Sequence, residues 1–258
     1  MYRFLLRPRW LLFHVVVVAA VAGMVWAGFW QLRRLDERQA FNATVEARAT
    51  QSPVPLESLL AEITADPDAL EWRPVVVTGS YLPDETVTVV NKSQGGIAGT
   101  FAVTPMVLDN GTLVLIERGF SSLSVADAAG IAPTPDGEVE VVGRLRPSQR
   151  RGTGGLSDRS DGALTEVQRI DIDRLAPQMP ADVLPMYVEL TASDPAEVDV
   201  LQPIAAPDLA EGPHLGYAVQ WFIFSICVVV GWTLAVRRSI ATRAPARNRA
   251  RPSAETAR

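Results

Sequence analysis

Two long apolar runs near the ends of the chain frame a middle of short valine- and threonine-rich stretches separated by turn residues. The second run, Leu215 to Val236, carries no charged side chain and is long enough to cross the ~30 Å hydrocarbon layer of a bilayer as a helix. The first, Leu11 to Phe29, is interrupted only by His14. Trp10 and Trp30 stand at its ends, where an amphipathic indole suits a membrane–water interface, and Trp232 reads the same way in the second run. Ala20-Val21-Ala22 has the small residues of a secretory cleavage site, but the apolar run continues through Met24, Val25, Trp26 and Phe29 to a full span, so an uncleaved anchor is expected.

Between the runs the period changes. Gln31 to Thr50 has only Leu32, Leu35 and Val45 as a sparse apolar face, which predicts a connecting helix continuing out of the first run. Leu56 to Ile63 predicts a short amphipathic helix before the Asp66-Pro67 turn. Pro74 to Tyr81, Thr86 to Lys92, Thr100 to Leu108 and Thr112 to Arg118 are valine- and threonine-rich and bounded by turn residues, as strands are. Asp109-Asn110-Gly111 predicts a tight hairpin whose Asn-Gly pair supplies positive φ angles. Leu113 to Ile116 is apolar without alternation, so that strand is expected to be covered on both faces. Further on, 122–129 predicts a brief helix, 138–146 a strand, 149–162 a mobile glycine-, arginine- and serine-rich loop, 171–176 a short helix and 186–191 a strand. The proline-rich segment 195–213 leads back to the second run in extended form.

The expected architecture is an α+β membrane protein: residues 1–9 as one terminus, helices over 10–30 and 213–236, an antiparallel β-rich domain over 31–212, and a basic disordered tail over 237–258. Charge gives the orientation. The net charge of −5 hides three arginines and no acid in residues 1–9, and seven arginines against one acid from Arg237 onward. The middle is strongly acidic. By the positive-inside rule both termini are cytoplasmic and the central domain is extracytoplasmic. The basic tail is thus a topology signal, with membrane lipid and no nucleic acid as its partner. The single cysteine, Cys227, excludes an intramolecular disulfide and a cysteine zinc site.

The candidate chemistry sits where the second helix begins. Gly212 is placed to cap it and Pro213 to open it, so His214 falls in the first turn, with Tyr217, Ala218 and Trp221 on the same face at spacings of three, four and seven. An imidazole over a small residue, flanked by aromatics at the outer membrane surface, suits a flat apolar cofactor. The plainer reading is an interfacial polar residue, and His14 is read as a helix-packing residue.

Several stretches together resemble the surfeit locus protein one family, the membrane assembly factors of haem-copper cytochrome c oxidase. They are Gly28-Phe29-Trp30-Gln31-Leu32-Arg33-Arg34, Thr78-Gly79-Ser80-Tyr81, Phe101 to Pro105 with Leu113 to Gly119, Val142 to Pro147, and His214-Leu215-Gly216-Tyr217-Ala218-Val219-Gln220-Trp221. The chain departs from the family's usual pattern at Glu117, where asparagine is common, and at Phe120, where tryptophan is common. The resemblance implies a bacterial oxidase assembly factor that binds haem a or delivers it to the catalytic subunit, alongside other assembly factors. It also implies that His214 is an axial ligand of the haem iron. Tyr217, Trp221, Trp26 and Trp30 would then offer apolar walls, and Arg33, Arg34 and Arg118 cations for the propionates.

Enzyme classes find little support. The chain has no Gly-x-Ser-x-Gly elbow, phosphate loop or His-Glu-x-x-His, and no histidine in the central domain to act as a base. Gly152-Thr153-Gly154-Gly155 lacks the strand and helix of a nucleotide site. Two other readings stay open: a scaffold that holds oxidase subunits without touching haem, and a cell-envelope sensor with an external ligand domain.

Overall fold

The computed structural model describes residues 3–130, 132–159 and 162–242. Most of the expected disordered tail, from 243 onward, lies outside the described residues. In chain order the elements are α1 (Pro8–Ala49), β1 (Val54–Pro55), α2 (Leu60–Ala65), β2 (Pro74–Tyr81), β3 (Val87–Gln94), β4 (Ile97–Val107), β5 (Leu113–Ser122), α3 (Leu123–Ala129), β6 (Glu138–Pro147), β7 (Glu166–Val167), α4 (Ile172–Leu175), β8 (Val183–Asp194) and α5 (His214–Ala241). They fall into two units: one from residues up to Phe41 together with those from Leu209, the other from Asn42 to Asp208.

The first unit is a helix pair. Both α1 and α5 contain stretches long and apolar enough to cross a membrane, and nearly all of those side chains face outward. α1 is continuous for 42 residues, about 63 Å at 1.5 Å per residue, so it runs far beyond its own apolar stretch. The helices are antiparallel, since His14 meets Trp232, Gly28 meets Phe222 and Gln31 meets His214. Small residues make the seam. Ala218 and Ser225 are buried, and a Cβ on Gly28 would stand 2.8 Å from the Phe222 ring. Backbones can approach this closely only where such side chains are missing or short. Trp232, expected as an interfacial anchor, also donates its indole N–H to His14 Nδ1 at 2.9 Å, so it bonds across the pair.

The second unit is an eight-stranded sheet in the order β1-β2-β6-β8-β5-β4-β3-β7. At its end β2 also pairs with β4, through Ser80 with Val107 and Tyr81 with Met106, which closes β2, β6, β8, β5 and β4 into a ring. The close approach needs Gly79, whose added Cβ would lie 2.2 Å from the Val107 carbonyl oxygen. The sheet is mixed, which corrects the expected antiparallel domain. β8 is antiparallel to β6 but parallel to β5, and β1–β2 and β3–β7 are also parallel. The long connection that a parallel neighbour requires runs from the end of β5 to the start of β8 and carries α3, β6, β7 and α4.

β5 is the central strand. Val114 and Ile116 turn into the ring with Val75, Val141, Met186 and Val188. Leu115 turns outward beneath Val87, Val103, Val167 and Ile170. Two cores meet at one strand, so it is apolar on both faces. Leu56 and Ile63 of the predicted amphipathic helix, here a 3-10 turn followed by α2, are fully buried in the ring core.

Two local expectations change. The hairpin turn uses a single positive φ, at Gly111, with Leu108 accepting from the Gly111 N–H at 2.8 Å and Asn110 Oδ1 accepting from Thr112 N–H at 2.9 Å. It is a three-residue loop of the kind that puts only its last residue in the left-handed region. Of the expected mobile loop 149–162, Leu156 is exposed, but the part up to Asp158 is held by polar contacts. Asp158 is buried and accepts from the Gln168 backbone N–H at 2.5 Å and from Arg169 at 3.4 Å, while Arg169 also reaches the Leu156 carbonyl.

Candidate functional site

At the start of α5 the backbone turns on Gly212, at φ +73°, and Pro213 takes the capping position, so the helix begins one residue later than expected, on His214 itself. Its ring is half-buried. Nδ1 lies 2.9 Å from Gln31 Oε1 of α1, so as placed the imidazole donates from Nδ1 and its Nε2 lone pair is left without a partner among the described residues. A hydrogen bond at one ring nitrogen that orients the other is how metal-binding histidines are commonly held. Gln31, rather than any residue of the predicted aromatic set, is the partner that sequence reasoning missed. Its one available signal is its place two residues before Arg33 in the stretch that carries the family resemblance.

The face predicted to carry a cofactor divides. Ala218 is buried in the helix seam, Trp221 is half-buried and edge-on to Phe224, and Tyr217 is 49% exposed. On α1, Trp30 is 42% and Trp26 63% exposed. No ring contact among the described residues joins Trp26 or Trp30 to His214, Tyr217 or Trp221, and these exposed rings close no cavity around the imidazole. Arg33 is exposed and makes no ion pair among the described residues, whereas Arg34 is paired with Glu37 at 2.7 Å. Arg38 donates to the Ala210 carbonyl at 3.0 Å and Gln39 to Glu211 at 3.1 Å, tying the segment before α5 to α1.

Arg118 belongs to a different setting, within the β-rich unit. It is 1% exposed. Nε bonds both oxygens of Glu197 at 3.1 Å, Nη1 donates to Ala132 O and Thr104 Oγ1, and Nη2 donates to Pro133 O and Glu197 Oε2. All five donors are used internally. The expected service to a propionate therefore gives way to a structural one: Arg118 cross-links β5 to the segments after α3 and after β8. Tyr81 completes the knot with a hydroxyl donated to Glu197 and a ring 5.2 Å from the guanidinium; burial and Glu197 push its phenol upward.

A second charged cluster crosses β5, β8 and β6. Glu189 is ion-paired with Arg144 and lies 3.7 Å from Arg146, which in turn stacks 3.5 Å over the Trp72 ring and pairs with Glu71 at 3.2 Å. Glu117 faces this group, opposite Glu189 in the strand register. Burial first, and then Glu189, push its carboxyl up to about 7, against the opposing pull of Lys92, Arg146 and Arg144. Burial likewise raises the neighbouring Tyr187 phenol, whose oxygen accepts from Gln149. The alternation of Arg144, Leu145 and Arg146 is the sequence trace of the cluster. Among the described residues no three histidine, cysteine or acidic side chains gather as a metal site.

Comparison with known proteins bears on the helix pair and the sheet together. The SURF1 family matches residues 18–226, from inside α1 to inside α5. An uncharacterised SURF1-like protein of Mycobacterium bovis is 30% identical over 230 residues, covering 88% of this chain and 83% of the relative. A SURF1-like protein of Rickettsia felis is 26% identical over 88% of this chain and 98% of its own length. The cytochrome oxidase assembly protein SHY1 of Saccharomyces cerevisiae is 33% identical over 135 residues, half of this chain and 34% of the yeast protein. With both His214 and its partner Gln31 inside a match of this extent, the chain belongs to the SURF1 family.

Proposed function

We propose that this chain is a membrane-anchored assembly factor for a bacterial haem-copper cytochrome c oxidase. In this reading α1 and α5 cross the cell membrane, both termini are cytoplasmic, and the β-rich unit is extracytoplasmic. Family membership and the name of the yeast relative support the assembly role, and the arginine distribution supports the orientation.

The observation that carries the cofactor part is the His214–Gln31 pair. Haem a, when bound, supplies an iron centre that takes an imidazole nitrogen. His214 offers Nε2 to it, and Gln31 fixes the ring. Trp30, Tyr217 and Trp221 would offer flat apolar surface, while Arg33, without an ion pair among the described residues, would meet a carboxylate and Arg34 shares its charge with Glu37. The residues fit a planar ligand held from one open side, which suits a carrier that passes its cargo to the oxidase catalytic subunit. The test is complementation. In cells lacking their own copy, His214→Ala is expected to lower the reduced-minus-oxidised haem a band of membranes several-fold while the protein itself still accumulates.

One observation favours the scaffold alternative. His214 and Ala218 both lie against α1, so the histidine also serves the helix seam. In that case His214→Ala leaves the haem a band intact, whereas disruption of the Asn110 to Arg118 hairpin removes it.

A further inference from the structure

The opposite end of the helix pair carries a second feature that the assembly role does not use. A groove of about 380 Å³ runs between α1 and α5, walled by Val17, Val18, Val21, Val25 and Trp232 and headed by His14. An indole N–H can only donate, so His14 Nδ1 must accept from Trp232 and the proton of the imidazole sits on Nε2. His14 stands at the head of this apolar groove, and its Nε2–H has no acceptor among the described residues. A polar group in this position calls for a ligand oxygen.

The surroundings say which ligand. Trp10 packs against His14 at 5.7 Å between ring centroids, and with Arg7, Pro8 and Arg9 it lines a second hollow of about 430 Å³. Arg7 and Arg9 are exposed and form no ion pair among the described residues, and the antiparallel pairing brings Arg237 and Arg238 of α5 to the same end. From His14 to Val25 the groove spans about 16 Å at 1.5 Å per residue, which is about half of the ~30 Å hydrocarbon layer. Cations, then one hydrogen-bond donor, then one leaflet's depth of aliphatic wall is the order of groups along a phospholipid.

We propose that this end of the helix pair is a binding site for one anionic phospholipid of the cytoplasmic leaflet. The phosphate lies against Arg7 and Arg9, an ester carbonyl accepts from His14 Nε2, and an acyl chain follows the valine groove. The site rests on the membrane-spanning part of the proposed function and is independent of haem. Charge complementarity selects the lipid class, since each surface arginine attracts anionic lipid.

Native mass spectrometry of the full chain in detergent tests this, with equal amounts of phosphatidylglycerol and phosphatidylcholine as the probes. The wild type is expected to retain a single phosphatidylglycerol with a preference of roughly tenfold. Arg7→Gln with Arg9→Gln should bring the preference near even, and Val21→Phe, which narrows the groove and leaves every charge in place, should reduce retention of the bound lipid. Circular dichroism checks that both variants keep their helices. Equal retention of the two lipids by the wild type, a preference untouched by the double arginine variant, or retention undiminished in Val21→Phe overturns the site. Failure of the protein to float with vesicles would instead overturn the membrane reading beneath it.

Discussion

Glu117 offers the sharpest quantitative test of the β-rich unit. It lies at a position where the family commonly has asparagine, and here the carboxyl is raised from 4.5 to about 7 by burial and by Glu189, with Lys92, Arg146 and Arg144 opposing. A carboxyl that titrates higher when folded than when unfolded keeps its proton in the native state while the unfolded chain has lost it. Its stabilising contribution is therefore complete below about pH 4.5 and is lost as pH rises toward 7, after which both states are ionised. A shift of this size corresponds to about 3 kcal/mol, an upper bound because the pair with Glu189 relaxes. Glu117→Gln replaces the protonated acid with a neutral side chain of the same shape. The variant should match the wild type at pH 4 and exceed it at pH 8 by as much as roughly 6–12 °C in melting temperature, taking about 2–4 °C per kcal/mol for a unit of this size. Thermal melts of the full chain in detergent, followed by circular dichroism of the sheet across that pH range, read the difference. Parallel pH profiles for the two proteins, or a variant that is less stable at pH 8, would refute the argument.

Other substitutions probe the remaining joints. Arg118→Ala strands a buried Glu197 and several acceptors, and should destabilise the β-rich unit by about 3–5 kcal/mol in urea unfolding, whereas a role confined to cofactor binding predicts unchanged stability. Gly79→Ala drives a methyl into the Val107 carbonyl and should open the β2–β4 junction; hydrogen exchange at Ser80 to Val107 is expected to accelerate while exchange along β6–β8 stays slow. Gly28→Leu forces the Phe222 ring from the seam, and a cross-link between cysteines introduced at Gln31 and His214 should then lose efficiency; undiminished cross-linking would mean the seam does not depend on that glycine.

What could be read from the sequence follows from the range of each interaction. β2 fills Pro74–Tyr81, the stretch that its valine and threonine content between turn residues marked, because that preference is local to the strand. The doubly covered Leu113 to Ile116 was legible for the same reason. The position of β8 was not, since its neighbours are fixed by strands that lie far from it in sequence: β5, reached through the long connection after Ser122, and β6. Arg118 invited a ligand role because its Glu197 partner is 79 residues away. His214 was recognisable, but Gln31 lies 183 residues off, and Trp232, read as a membrane anchor, has its hydrogen-bond acceptor 218 residues earlier. Glu117 was visible only as a departure from a family pattern, and its raised carboxyl required knowing that Glu189 stands opposite.

The central claim is that His214, oriented by Gln31, presents Nε2 to haem at the head of α5. The visible absorption spectrum of the detergent-purified protein, made in cells that synthesise haem a, tests it most directly when recorded beside His214→Ala and Gln31→Leu. The account predicts a Soret band in the wild type that is lost in the histidine variant and weakened or shifted in the glutamine variant. A wild-type protein that carries no haem while still co-purifying with oxidase subunits, or a Soret band indifferent to His214, would contradict it.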